Sequence, residues 1–128
     1  MFAEKGRCHA ISQPQNERGA GGGYVSVGYW ARPTVRGQVY FRLSRPKRTG
    51  SAILLRIDER TFQLRGGGVH GWALDAEADA RIVSAMRVGV SMSVESRAEG
   101  GGVIRDVYRL RGAATAIDAA AIACSQQR

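Results

Sequence analysis

Apolar and polar residues alternate along this chain in one short run after another, and that period of two constrains the fold more than any other feature. In Tyr24-Val-Ser-Val-Gly-Tyr-Trp30, the residues Tyr24, Ser26, Gly28 and Trp30 would face one way and Val25, Val27 and Tyr29 the other. Gln38–Leu43 sets Val39, Phe41 and Leu43 opposite Gln38, Tyr40 and Arg42, the signature of a half-buried strand. Ser51–Ile57 is more continuously apolar and reads as a central strand. Asp58-Glu-Arg-Thr61 then forms a tight connection into Thr61–Leu64, a hairpin. Val69–Trp72 is a short strand, and Val90–Val94 and Val103–Leu110 make a further pair. Three glycine triplets, Gly21–Gly23, Gly66–Gly68 and Gly100–Gly102, fall between apolar segments, where glycine permits the positive φ of turns. None is followed by the Lys-Ser/Thr and helix of a phosphate-binding loop.

Two segments break the alternation. Asp75–Arg87 opens with acids, closes on a base and places Asp75 where an N-cap belongs. Its apolar stripe is Ile82, Val83 and Met86. Gly112–Cys124 is rich in alanine, the strongest helix former, and its stripe runs Ile117, Ala120, Ala121, Cys124 at helical spacing. Many short strands and two short helices in the C-terminal half predict a mainly β chain, a β-sandwich with helical additions. At 128 residues it reads as a single domain, 1–128, able to bury about two-thirds of its unfolded surface.

The only two cysteines, Cys8 and Cys124, stand close to opposite ends of the chain. They can be read as unrelated reduced thiols or as one bridge enclosing nearly the whole sequence. The minimal even count favours the bridge, as does the tendency of domain termini to lie close together. Cys124 also closes an amphipathic stripe, so its side chain aims at protein. Such a bridge requires an oxidising compartment.

The net charge is +8, which suits an anionic partner. The bases are scattered, with one dense knot at Arg45-Pro46-Lys47-Arg48. Arg36, Tyr40 and Arg42, together with Arg45, Lys47 and Arg48, define a candidate anion-binding face that mixes an aromatic ring with cations. Bases of single-stranded nucleic acid could stack there while arginines pair with phosphates. A sulfated or phosphorylated glycan would fit equally. Trp72 reads as a core aromatic. Catalysis finds little footing. Cys8 and His9 are adjacent in a strand and would point to opposite faces. His9 and His70 are the only histidines, and no close Cys/His spacing suggests a metal. Asp58-Glu59 and Asp75/Glu77/Asp79 are explained by a hairpin turn and a helix start. No enzyme, cofactor or metal site is expected. No run approaches the ~20 apolar residues of a membrane-crossing helix.

One series of signals runs Phe62–Leu64, His70-Gly-Trp-Ala73, Asp79–Gly89, Met92–Ser96, Asp106–Gly112, and a closing helix ending at Cys124. In this series the chain, from about Ile53 to Cys124, resembles the invasion-associated locus B family of alphaproteobacteria. The N-terminal part matches only through Cys8 and the Tyr24–Trp30 strand. The resemblance implies an immunoglobulin-like β-sandwich, export behind a cleaved signal peptide, and a periplasmic or secreted location. No basic and apolar leader precedes Ala3, which fits a mature chain or a mis-assigned start. Some family members are linked to host-cell invasion, and no enzymatic activity carries over. Where the family has Ser-Leu-x-Gly-Phe, this chain has Arg109-Leu-Arg-Gly-Ala113, so an aromatic anchor is missing and the last helix is expected closer to the sheet. The expectation is a non-enzymatic exported protein whose basic face meets lipopolysaccharide, phospholipid, an acidic glycan or a protein partner. The alternative is an intracellular nucleic-acid-binding module using the same face with reduced cysteines.

Overall fold

The computed structural model of the chain describes residues 2–4, 7–12, 22–30 and 37–125. In chain order the elements are β1 (Phe2–Glu4), β2 (Arg7–Ser12), β3 (Tyr24–Trp30), β4 (Gln38–Arg42), β5 (Ile53–Ile57), β6 (Arg60–Leu64), β7 (His70–Trp72), α1 (Ala76–Val88), β8 (Ser91–Arg97), β9 (Val103–Arg109) and α2 (Ala113–Ser125). The strands form two antiparallel sheets, ordered β1-β2-β3-β4-β7 and β6-β5-β8-β9. The fold is thus mainly β, a two-sheet sandwich with two short helices.

Alternation decides which side of each strand is dry. Cys8 and Ala10, Val25 and Val27, and Val39 and Phe41 line the inner face of the five-stranded sheet. Ile53, Leu55 and Ile57 on β5 meet them from the other sheet, with Met92, Val94, Ile104 and Tyr108. β5 is central in its sheet, as its composition suggests, yet only one side of it is dry. Leu54 is 43% exposed, because it pairs with Gln63 and Glu95 on a face left to solvent.

The two sheets join where β6 gives way to β7. Arg65 and Trp72 exchange backbone hydrogen bonds of 2.8 and 2.7 Å across the β6–β7 turn, so β7 is tied to β6 while pairing with β4. Gly66 sits in that turn at φ +152°, and a Cβ there would lie 2.0 Å from the His70 carbonyl oxygen. Only glycine fits. At the β5–β6 hairpin, Asp58 adopts φ +52°, and its carboxylate accepts from the backbone N–H groups of Val90 and Ser91.

Asp75 caps α1 as expected, accepting from the Ala78 amide at 2.8 Å. The helix buries Ile82, Ala85 and Met86, with Val83 half-buried, so Ala85 takes the place on the stripe that Val83 was expected to hold. The acids of this segment do more than favour a helix start. Asp79 Oδ1 accepts from the Val39 amide at 2.9 Å and docks α1 on β4. α2 buries Ile117, Ala120 and Cys124 and packs along β2 and β3. Arg87 and Asp118 form an ion pair between the helices. The sulfurs meet: Cys8 and Cys124 are disulfide-bonded with Cα atoms 5.6 Å apart, and the residues are 0% and 2% exposed. The bridge spans 116 residues of sequence.

Candidate functional site

Antiparallel register assembles a row of side chains on the outer face of the five-stranded sheet. Ser26 lies opposite Tyr40, and Tyr40 opposite Trp72; in the next row Tyr24 lies opposite Arg42, and Arg42 opposite His70. Residues two apart on a strand share a face, so one surface carries Tyr24, Tyr40, Arg42, His70 and Trp72 together. Tyr40 is the centre. Its ring lies 5.8 Å from Tyr24, 5.8 Å from His70 and 5.6 Å from Trp72, all at tilted angles. His70 and Trp72 stack at 5.7 Å with planes 18° apart. These centroid separations fall within the range of favourable aromatic pairs.

Polar contacts hold the rings in place. The Tyr40 hydroxyl and His70 Nδ1 share a hydrogen bond of 2.5 Å. The Arg65 guanidinium stands 5.7 Å from the Trp72 ring centre, within cation–π range, while its Nε donates to the Ala73 carbonyl at 3.1 Å. Burial pushes the Tyr40 phenol above its ordinary value, the nearby Tyr24 adds to this, and Arg42 opposes it. The phenol therefore stays a neutral hydrogen-bonding group at physiological pH. The platform combines adjacent ring faces with two guanidinium groups, and each ring keeps part of its surface in solvent.

Of the expected anion-binding set, the structure brings Tyr40 and Arg42 onto this face, while Arg36 lies outside the described residues. The basic knot is elsewhere, on the connection from β4 to β5. Arg45 donates to the Val103 carbonyl at 3.0 Å. Lys47 is only 6% exposed, and its Nζ donates to the Arg48 carbonyl. The backbone of this connection is pinned to Gly68 through Lys47 and to Arg97 through Arg48. Lys47 thus braces two loops and is withdrawn from solvent; Arg48 is exposed. Trp72 is not a core aromatic: it is half-buried on the outer face, because β7 reaches its place by pairing with β4.

Tyr24, His70, Trp72 and Arg65 were not in the expected set. The outward side of Tyr24 on its alternating strand is the one signal that could have found any of them; β7, with three residues, does not show which side His70 and Trp72 take. Cys8 faces the core while its neighbour His9 lies on the opposite side of β2, and the bridged sulfur has no thiolate to offer as a nucleophile. Among the described residues no group of three or more His, Cys, Asp or Glu could hold a metal ion, and no helix is long and apolar enough to cross a membrane. No family model, curated protein or solved structure matches the chain.

Proposed function

We propose that the chain is a non-enzymatic, exported binding protein of the invasion-associated locus B type, taking an acidic glycan of an envelope or host surface on the Tyr40-centred face. One observation carries this reading: four aromatic rings and two arginines share an exposed sheet face. Sugar rings present apolar C–H faces that lie flat on aromatic side chains, and their sulfate, phosphate or carboxylate groups pair with guanidinium forks. The +8 net charge draws such a ligand in from a distance. The same rings could stack nucleic-acid bases. The buried Cys8–Cys124 bridge favours the glycan, because a structural disulfide belongs to an oxidising compartment, periplasmic or extracellular, where intracellular nucleic acid is absent.

The test is a calorimetric titration with an acidic oligosaccharide, its neutral counterpart and a single-stranded oligonucleotide. Saturable binding of the acidic oligosaccharide is expected, weakened at least tenfold by Tyr40→Ala or Trp72→Ala. Arg42→Ala should flatten the salt dependence. Tighter binding of the oligonucleotide, with a steep salt slope, would transfer the face to nucleic acid. No binding of either would end the proposal.

A further inference from the structure

On the opposite side of the five-stranded sheet, within the sandwich, lies a cavity of about 170 Å³ that opens to solvent. Ala10 and Val27 of the sheet, Met86 of α1 and Tyr108 of β9 line it, and Ala113 and Ala116 border it from the first turns of α2. The void follows from residue size. Alanines stand where the helix meets the sheet, and their side chains are too short to fill the gap. Ala113, at the helix start, borders open space. Well-packed interiors rarely leave voids much larger than a water molecule. An apolar cavity of similar size, about 150 Å³, is known to stay dry and accept benzene. Arg109 and Arg111, both exposed, flank Leu110 in its lining, and among the described residues no carboxylate lines it.

We infer that this cavity is a binding site for an anionic single-chain amphiphile, its acyl end among the alanines, Met86 and Tyr108, and its carboxylate or phosphate head at Arg109 and Arg111. Apolar walls select a chain, and two like charges at the rim select an anion. Burial pushes the Tyr108 phenol well above its ordinary value, so this wall of the cavity stays uncharged. The inference is independent of the outer-face reading.

Calorimetric titrations with decanoate, decanol, decyltrimethylammonium and lysophosphatidylglycerol, each below its micelle concentration, test it. Decanoate should bind at least tenfold more tightly than decanol, and the cationic amphiphile most weakly. In a series of shorter carboxylates, affinity should rise about fourfold per added methylene and level off once the cavity is full. A larger response to the lysophospholipid would identify a phosphate lipid as the source of the head group, and a larger response to decanoate a free acid. Ala113→Phe should fill the space, abolish uptake and raise thermal stability; Ala116→Leu serves the same purpose if the larger ring does not fold. Arg111→Glu should erase the preference for decanoate over decanol while leaving decanol binding unchanged. Trp72→Ala should leave uptake intact. Saturable binding of neither anion, equal binding whatever the head charge, or uptake that survives in the filled variant or is lost in Trp72→Ala would overturn the inference.

Discussion

Gly66 and Tyr108 carry consequences that single substitutions can read. Gly66 combines φ +152° with a would-be Cβ 2.0 Å from a backbone oxygen, and a backbone neighbour cannot swing aside as a flexible side-chain tip could. Gly66→Ala should therefore cost about 2–3 kcal/mol in urea unfolding and displace His70 and Trp72, weakening any ligand on the outer face. Gly67→Ala, next to it with open space around its Cβ, should be close to neutral and serves as the control. Tyr108 acts through its proton. It is 1% exposed, and burial, assisted by the Asp106 charge, raises its phenol well above the ordinary 10.0. Above pH 10 the unfolded chain loses this proton while the folded chain keeps it, so stability falls as pH rises. The slope from this one group approaches about 1.4 kcal/mol per pH unit. Tyr108→Phe should reduce the alkaline loss of stability between pH 10 and 11.5 by that component, and an unchanged slope would show that the phenol is not shielded from solvent.

Between elements, short polar contacts decide how helices and strands dock, and α1 separates two of them. Asp75 caps its own helix, and replacing such a cap by alanine costs about 1 kcal/mol. Asp79 reaches to another element, and its loss leaves the Val39 amide without that acceptor in a part-buried site. Asp79→Ala should cost about 2–3 kcal/mol, more than Asp75→Ala, measured as the shift in urea midpoint at constant m-value. Equal costs would reduce Asp79 to a helix-start charge. That long-range contact was not legible in the sequence, where Asp79 fits the acidic first turn of any helix. β4 was legible, because six residues of strict alternation state both its period and its dry face. β7 has three residues and no readable period, so the outward side of Trp72 depends on pairing with β4, some thirty positions away. β1, equally short, left no signal either. Half of the platform, Tyr24, Tyr40 and Arg42, stood on alternating strands and was readable in direction, although only Tyr40 and Arg42 were singled out. His70, Trp72 and Arg65 join them through the β6–β7 turn. The Arg45–Arg48 knot misled for the converse reason: dense charge in sequence does not reveal that Lys47 has its ammonium held by a carbonyl between two loops.

At the scale of the whole molecule, the Cys8–Cys124 bridge ties β2 to the end of α2 and closes the sandwich on itself. Apart from the bridge, α2 lacks the end charges that steady a helix: alanines dominate its sequence, it has no acid in its first turn and no base in its last, and it borders a cavity. Alanine favours the helical state but buries little area, so the packing of α2 onto β2 and β3 relies on Ile117 and the disulfide more than on a broad apolar face. Closing a loop of 116 residues removes much of the unfolded chain's entropy, about 3–5 kcal/mol on the chain-entropy account. Reduction under native conditions should proceed slowly because both sulfurs are buried, and once reduced the protein should melt on the order of 15 °C lower. The paired variant Cys8→Ala/Cys124→Ala separates the bridge from the reductant and should show a similar drop in urea stability. In hydrogen exchange the loss should appear first in α2 and β2, with strands β5, β8 and β9 retaining protection, since they are held by ladder pairing and not by the bridge. An unshifted melting temperature, or uniform loss of protection across both sheets, would mean that the clasp adds nothing to the docking of the last helix.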